Sequence, residues 1–215
     1  MDAKGSRAEI LLINLICFGP FAAMAIYRLV TRQMERVVGD AELLRIVGIE
    51  VVAGAVAVFI LRRRGWKLRE FGLRPTFPET ILGMILMIAA NLLIVMIYVT
   101  VVAFVGHPIA DPGAKSNVSW AVLILVTLIN PLYEEFFEVA YNLRAAGPKE
   151  GIAFAITLSA LIRFTCHLDQ GPIAAVTILP LGLIFAVVYW RWGRLWPLVV
   201  AHGAFDFFAM MPGGE

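Results

Sequence analysis

The stretch VSWAVLILVTLINPLYEEFFE, residues 118–138, decides how the chain is read. Sixteen uncharged residues, Val118 to Tyr133, lead into three carboxylates within five positions: Glu134, Glu135 and Glu138. Such a run is nearly long enough to cross a hydrocarbon core of about 30 Å as a helix. Carboxylates carried at that depth cost ~2.5–3.5 kcal/mol each on insertion scales, so they mark a functional site and call for partners. Two later segments offer them, Arg163-Phe164-Thr165-Cys166-His167 and His202-Gly203-Ala204-Phe205-Asp206.

Composition agrees with a membrane reading. Hydrophobic residues make up 60% of the 215 and charged residues 16%, far from the balance of a soluble domain. The net charge of +2 is spread over the links between apolar runs, which excludes a nucleic-acid surface. Cys17 and Cys166 both lie in apolar runs and form no CxxC, so neither a disulfide framework nor a cysteine-rich metal site is indicated. The first apolar run lacks a small-residue cleavage site and reads as a retained span. The expected fold class is all-α: one polytopic transmembrane helix bundle over residues 1–215, with about seven spans plus a basic interfacial segment.

The expected spans are Ile10–Tyr27, Ile46–Leu61, Ile81–Val105, Val118–Leu143, about Lys149–Leu168, Ile173–Trp190 and Leu195–Met211. Glu50, one turn from Arg45, is read as its ion-pair partner near the membrane surface. Arg62–Pro78 carries six basic residues interleaved with Trp66, Leu68, Phe71, Leu73 and Phe77. It is read as an amphipathic interfacial helix plus turn on the cytoplasmic leaflet, with the five tryptophans in an aromatic belt. Basic links after spans two, four and six place the N-terminus in the cytoplasm, although Arg32 and Arg36 lie on the opposite side of that scheme. His167 sits about 27 Å from Lys149 at the helical rise, so span five is expected to begin in the headgroup region.

Three helices then present polar faces. Glu134 and Glu138 share one face with Tyr141, while Glu135 shares another edge with Glu138 and Asn142. Pro131 leaves the carbonyl of Thr127 free, which predicts a kink one turn before the pair. Arg163 and His167 are four apart, as are His202 and Asp206. Arg163 needs an anion, and Asp206 is placed to fix the tautomer of His202.

Glu134-Glu135, then His167, then His202-xxx-Asp206 resembles the CPBP family of CAAX proteases and bacteriocin-processing or self-immunity proteins. The family's EExxxR is matched except at its arginine, where this chain has Val139 preceded by Glu138. Its FxxxH appears as Arg163-xxx-His167, followed by Leu168-Asp169-Gln170-Gly171, similar to the HLYQG of some bacterial members. Gly193-Arg194-Leu195-Trp196-Pro197-Leu198 before the last motif is also family-like, and the catalytic core spans about residues 118–211. The resemblance implies a glutamate-dependent, metal-free intramembrane endopeptidase without cofactors. In it Glu134 and His167 activate water, and His202 and Asp206 stabilise the oxyanion, with Glu135 beside them. An ionised Asp206 can only accept, so it is assigned to orienting His202. Arg163 is expected to supply the guanidinium absent at Val139 and to hold Glu135 or Glu138.

The expected partners are a membrane-associated peptide or protein substrate and the lipid bilayer, with no nucleic acid. The expected location is a plasma membrane, of bacterial type. The alternative is a catalytically inactive self-immunity or membrane-partner protein of the same family. A zinc site built from Glu134, His167, His202 and Asp206 has suitable ligand types but no HExxH.

Overall fold

The computed structural model describes residues 5–31, 37–106, 115–170 and 172–211. Within them the chain is helical apart from one short strand pair. The helices are α1 (Arg7–Val30), α2 (Asp40–Arg63), α3 (Phe77–Val105), α4 (Trp120–Glu134), α5 (Asn142–Glu150), α6 (Ile152–Cys166), α7 (Pro172–Trp192) and α8 (Trp196–Met210). Val37–Gly39 (β1) pairs in parallel with Lys115–Asn117 (β2), tying the entry to α2 to the entry to α4. Arg32, Arg36, most of the Gly106–Asn117 loop and Gly171 lie outside the described residues.

Local chemistry sets the helix ends. Ser6 and Ser119 cap α1 and α4 by accepting from the amides of Glu9 and Val122. Gly106 ends α3 at a φ of 84°, a conformation that favours glycine. Gly147, at φ 49° and ψ −158°, interrupts α5 one residue before Pro148.

The exterior is apolar and several charges are buried, unlike a soluble protein. Glu50, Glu135, Glu138, Asn142 and Arg163 are buried, whereas Leu, Ile, Val and Phe side chains cover much of the exterior. Four stretches are long and apolar enough to cross a membrane: Arg7–Val30, Asp40–Arg63, Phe77–Phe104 and Trp120–Gly147. An apolar exterior, with the few charges of the spans turned inward, is what lipid as solvent selects, so the protein is an all-α membrane helix bundle. α6 and α8 have 15 residues each, about 22 Å at the helical rise.

Small residues let the central helices close. A Cβ on Gly83 of α3 would stand 2.6 Å from Val200 Cβ of α8, and one on Gly203 of α8 would stand 2.7 Å from the carbonyl oxygen of Thr127. That carbonyl is the one Pro131 frees, and α8 packs its glycine onto it. A separate irregularity carries two of the three glutamates: Glu135–Tyr141 is π-helical. π segments inside α-helices are frequent at functional sites. Here it turns Glu135, Phe136, Phe137 and Glu138 inward together.

Three expectations need correction. Glu50 does not pair with Arg45: five residues turn them about 140° apart, and Glu50 faces α4. Its Oε1 accepts from Asn130 Nδ2 at 2.6 Å, while Arg45 lies 3.8 Å from Glu42. The Arg62–Pro78 segment is not an interfacial helix: α2 continues to Arg63, and only Leu68–Phe71 forms a 3₁₀ turn. Trp66 and Phe71 belong to the core rather than a lipid belt, stacking on each other and against Tyr141 and Phe136. Span five begins later than predicted, at Ile152, and ends before His167, so the helix is shorter than the 27 Å reading required.

Candidate active site

The site lies where α4 and its π segment meet α2, α6 and α8. Arg163, in the last turn of α6, points at the π segment with no solvent exposure. Its Nε donates to Glu138 Oε1 at 2.7 Å and its Nη2 to Glu135 Oε1 at 2.8 Å. Nη1 stands 3.9 Å from Glu134 Oε2. The sequence pairs these helices only through the need of a buried guanidinium for anions, and the geometry supplies two. Gly182 of α7 makes the space: a Cβ there would lie 2.8 Å from Arg163 Cδ and 3.0 Å from Nε.

Glu135 also fixes α8. His202 Nδ1 donates to the same Glu135 Oε1 at 2.7 Å, so one carboxylate oxygen receives both arginine and histidine. With Nδ1 committed, His202 turns Nε2 toward Glu134 Oε2 at 3.9 Å and Asp206 Oδ1 at 3.6 Å. The group that orients the ring is thus Glu135. Asp206, assigned that task from its four-residue spacing, is beyond hydrogen-bond distance because the ring's bonded edge faces the π segment.

His167 follows the last residue of α6, and its Nδ1 lies 2.8 Å from the carbonyl oxygen of Arg163. A nitrogen facing a carbonyl carries the proton, so the lone pair of the neutral ring is on Nε2. His167 is in electrostatic range of Glu134 and His202.

Two participants escaped sequence reading. Asn130 donates to Glu134 Oε1 at 3.0 Å as well as to Glu50 Oε1, linking a fourth glutamate to the set. Asn130 sits one turn before Glu134, a spacing that carried the signal. Glu50 is a carboxylate inside an apolar span, which by itself marks a functional position. Behind the site, Asn14 and Asn142 exchange side-chain hydrogen bonds at 2.7 and 3.2 Å and brace α1 against α5.

The three glutamates of the motif therefore have unequal lives. Glu135 and Glu138 are held by Arg163. Glu134 keeps one oxygen on Asn130, and its other oxygen, Oε2, is buried without a hydrogen bond among the described residues. Glu135 Oε2, Arg163 Nη1, Asp206 Oδ2 and Glu50 Oε2 are in the same condition. Buried polar atoms are nearly always satisfied, so these oxygens and this nitrogen call for a further partner such as water or a reactant. Among the described residues no group of three or more His, Cys, Asp or Glu side chains is arranged to hold a metal ion.

Comparison with known families adds one finding. Residues 116–208 match the Rce1-like family, described as type II CAAX prenyl endopeptidase Rce1-like. The matched residues contain Glu134, Glu135, Glu138, Arg163, His167, His202 and Asp206, whereas Glu50 lies outside them. No curated protein and no solved structure is similar enough to match.

Proposed function

We propose that the protein is a glutamate-dependent intramembrane endopeptidase, a reading supported by the match of residues 116–208 to the Rce1-like family of CAAX prenyl endopeptidases. Its substrate is a membrane-associated peptide or protein, cut near the cytoplasmic leaflet. The observation that carries this reading is the isolation of Glu134 Oε2: it is buried, unbonded and 3.9 Å from both His202 Nε2 and Arg163 Nη1. Its neighbours Glu135 and Glu138 each give one carboxylate oxygen to Arg163.

In this mechanism a water lies between Glu134 Oε2 and His167 Nε2. Glu134 removes one proton as the water oxygen bonds to the carbonyl carbon of the scissile peptide. His167 accepts a hydrogen bond from the other hydrogen and fixes the line of attack. The carbonyl π pair moves onto oxygen, and the resulting oxyanion accepts from His202 Nε2, which donates there when both ring nitrogens carry protons. Glu134 then returns its proton to the departing nitrogen as the C–N bond breaks, leaving a carboxyl and an amine. Glu135 holds the imidazole through Nδ1, and Asp206 stands 3.6 Å from Nε2 as a nearby carboxylate. Arg163 takes the place of the motif arginine missing at Val139, reaching Glu135 and Glu138 from α6.

Substrate class is tested with paired C-terminal peptides, prenylated and unprenylated, incubated with the purified chain. Cleavage of the prenylated member above its partner supports the family substrate. Equal cleavage assigns a broader membrane-peptide specificity. Cleavage of neither, with retained activity in a cell assay of Glu134→Gln, supports the alternative of a non-hydrolytic partner protein.

A further inference from the structure

The basic segment that failed as an interfacial helix has another use. Trp66 and Phe71 anchor it in the core, and the carbonyl of Gly72 accepts from Leu195 N at 3.1 Å. Gly72 (φ 73°) and Gly193 (φ 61°) meet so closely that a Cβ on Gly72 would collide with the Gly193 carbonyl. This junction carries Arg69 and Arg74 to the side of Arg191 and Arg194 in the α7–α8 link. Between them is a cleft of about 460 Å³, with Arg144 of α5 in its lining and a single acid, Glu70.

Five guanidinium groups from three distant parts of the sequence thus converge on one cleft. Arg144 is half-buried and pre-positioned: its Nε donates to Tyr189 Oη at 3.2 Å, and Tyr189 donates to the carbonyl of Phe71 at 3.1 Å. Arg194 lies 3.3 Å from Glu79, on the rim. The indoles of Trp190 and Trp192, each half-exposed, flank the opening. Gathering like charges is unfavourable unless an anion neutralises them, and planar guanidinium forks match the oxygens of a phosphate. Tryptophan beside arginine at the end of an apolar helix is the arrangement found at headgroup level.

We propose that this cleft is a phosphate-binding site whose occupant is the headgroup of an anionic phospholipid. A phosphodiester there accepts from Arg144 at the base and from Arg74 and Arg191 at the sides, while its acyl chains run down the exposed apolar flank of α7. Arg144 is ten residues along the helical run from Glu134, about 15 Å at the helical rise, so the bound lipid would stand beside the site without entering it.

The test is native mass spectrometry of the detergent-purified full chain with equimolar dioleoyl-phosphatidylglycerol and dioleoyl-phosphatidylcholine, and separately with inorganic phosphate. The expected result is selective retention of phosphatidylglycerol, reduced on the order of tenfold by Arg74→Gln with Arg191→Gln and unchanged by Arg45→Gln at the far end of α2. Competition of the bound lipid by excess inorganic phosphate on the unmodified chain reads the same site without any substitution. Retention of phosphate with no preference between the lipids assigns the shared chemistry to a free anion. Equal retention of both lipids with no phosphate bound, or retention untouched by the double substitution, overturns the site.

Discussion

Arg163 Nη2 donates to Glu135 Oε1 across 2.8 Å, between two side chains with no solvent exposure. That bond joins α6 to the π segment, and the same oxygen continues to His202 on α8. Removing one member of a buried ionic set leaves the others uncompensated, at a cost of about 3–5 kcal/mol. Arg163→Leu is therefore expected to lower thermal stability in detergent by that order and to abolish activity. Unchanged melting would show that Glu135 and Glu138 do not depend on it.

The space for that arginine comes from Gly182. Alanine favours a helix, so Gly182→Ala is neutral or stabilising by propensity alone. Its methyl would sit 2.8 Å from Arg163 Cδ, and overpacking of this kind costs about 1–3 kcal/mol. Thermal unfolding of Gly182→Ala should show a net loss, together with reduced turnover as the guanidinium shifts from Glu138. A gain in stability would contradict the fit.

Val139 is fully buried at the position where the family motif has arginine. Adding a cation there while Arg163 already holds Glu135 and Glu138 buries a second positive charge, so Val139→Arg alone is expected to destabilise. In the Arg163→Leu background the same change offers Glu135 and Glu138 a replacement. The double variant should recover part of the lost stability, giving a coupling of about 1–3 kcal/mol in a thermodynamic cycle. Additive losses would mean that the two positions do not serve one another's acids.

Asn130 is a positioning residue, acting through Glu134 at 3.0 Å. Asn130→Ala should lower kcat by roughly ten- to a hundredfold with KM little changed, a fraction of the 10²–10⁴ that a general base supplies. Asn130→Asp, which keeps an acceptor but removes the donor, should fare no better. Equal activity in Asn130→Ala would free Glu134 of this tether.

The sequence carried the class of the molecule because membrane helices announce themselves by run length, and it carried the acids because charge inside such runs is costly. It also led to Arg163 as the cation for Glu135 and Glu138, since a buried guanidinium has few alternatives. What it could not carry were contacts made across the bundle. Glu50 meets Asn130 from 80 positions away, and its attachment to Arg45 came from treating nearness in sequence as nearness in space. Asp206 lost His202 Nδ1 to Glu135 because the π segment, invisible in the residue pattern, turned that carboxylate inward. Trp66 and Phe71 looked amphipathic until the Gly72–Gly193 junction folded their segment onto the core.

The most direct measurement is hydrolysis of a quenched-fluorescent peptide panel by the detergent-purified protein and by Glu134→Gln, each with and without chelator. Glu134 as the base predicts cleavage by the unmodified chain that chelator leaves unchanged and that falls by at least ~10² in the variant. Cleavage that survives Glu134→Gln, or that chelator abolishes, would contradict it.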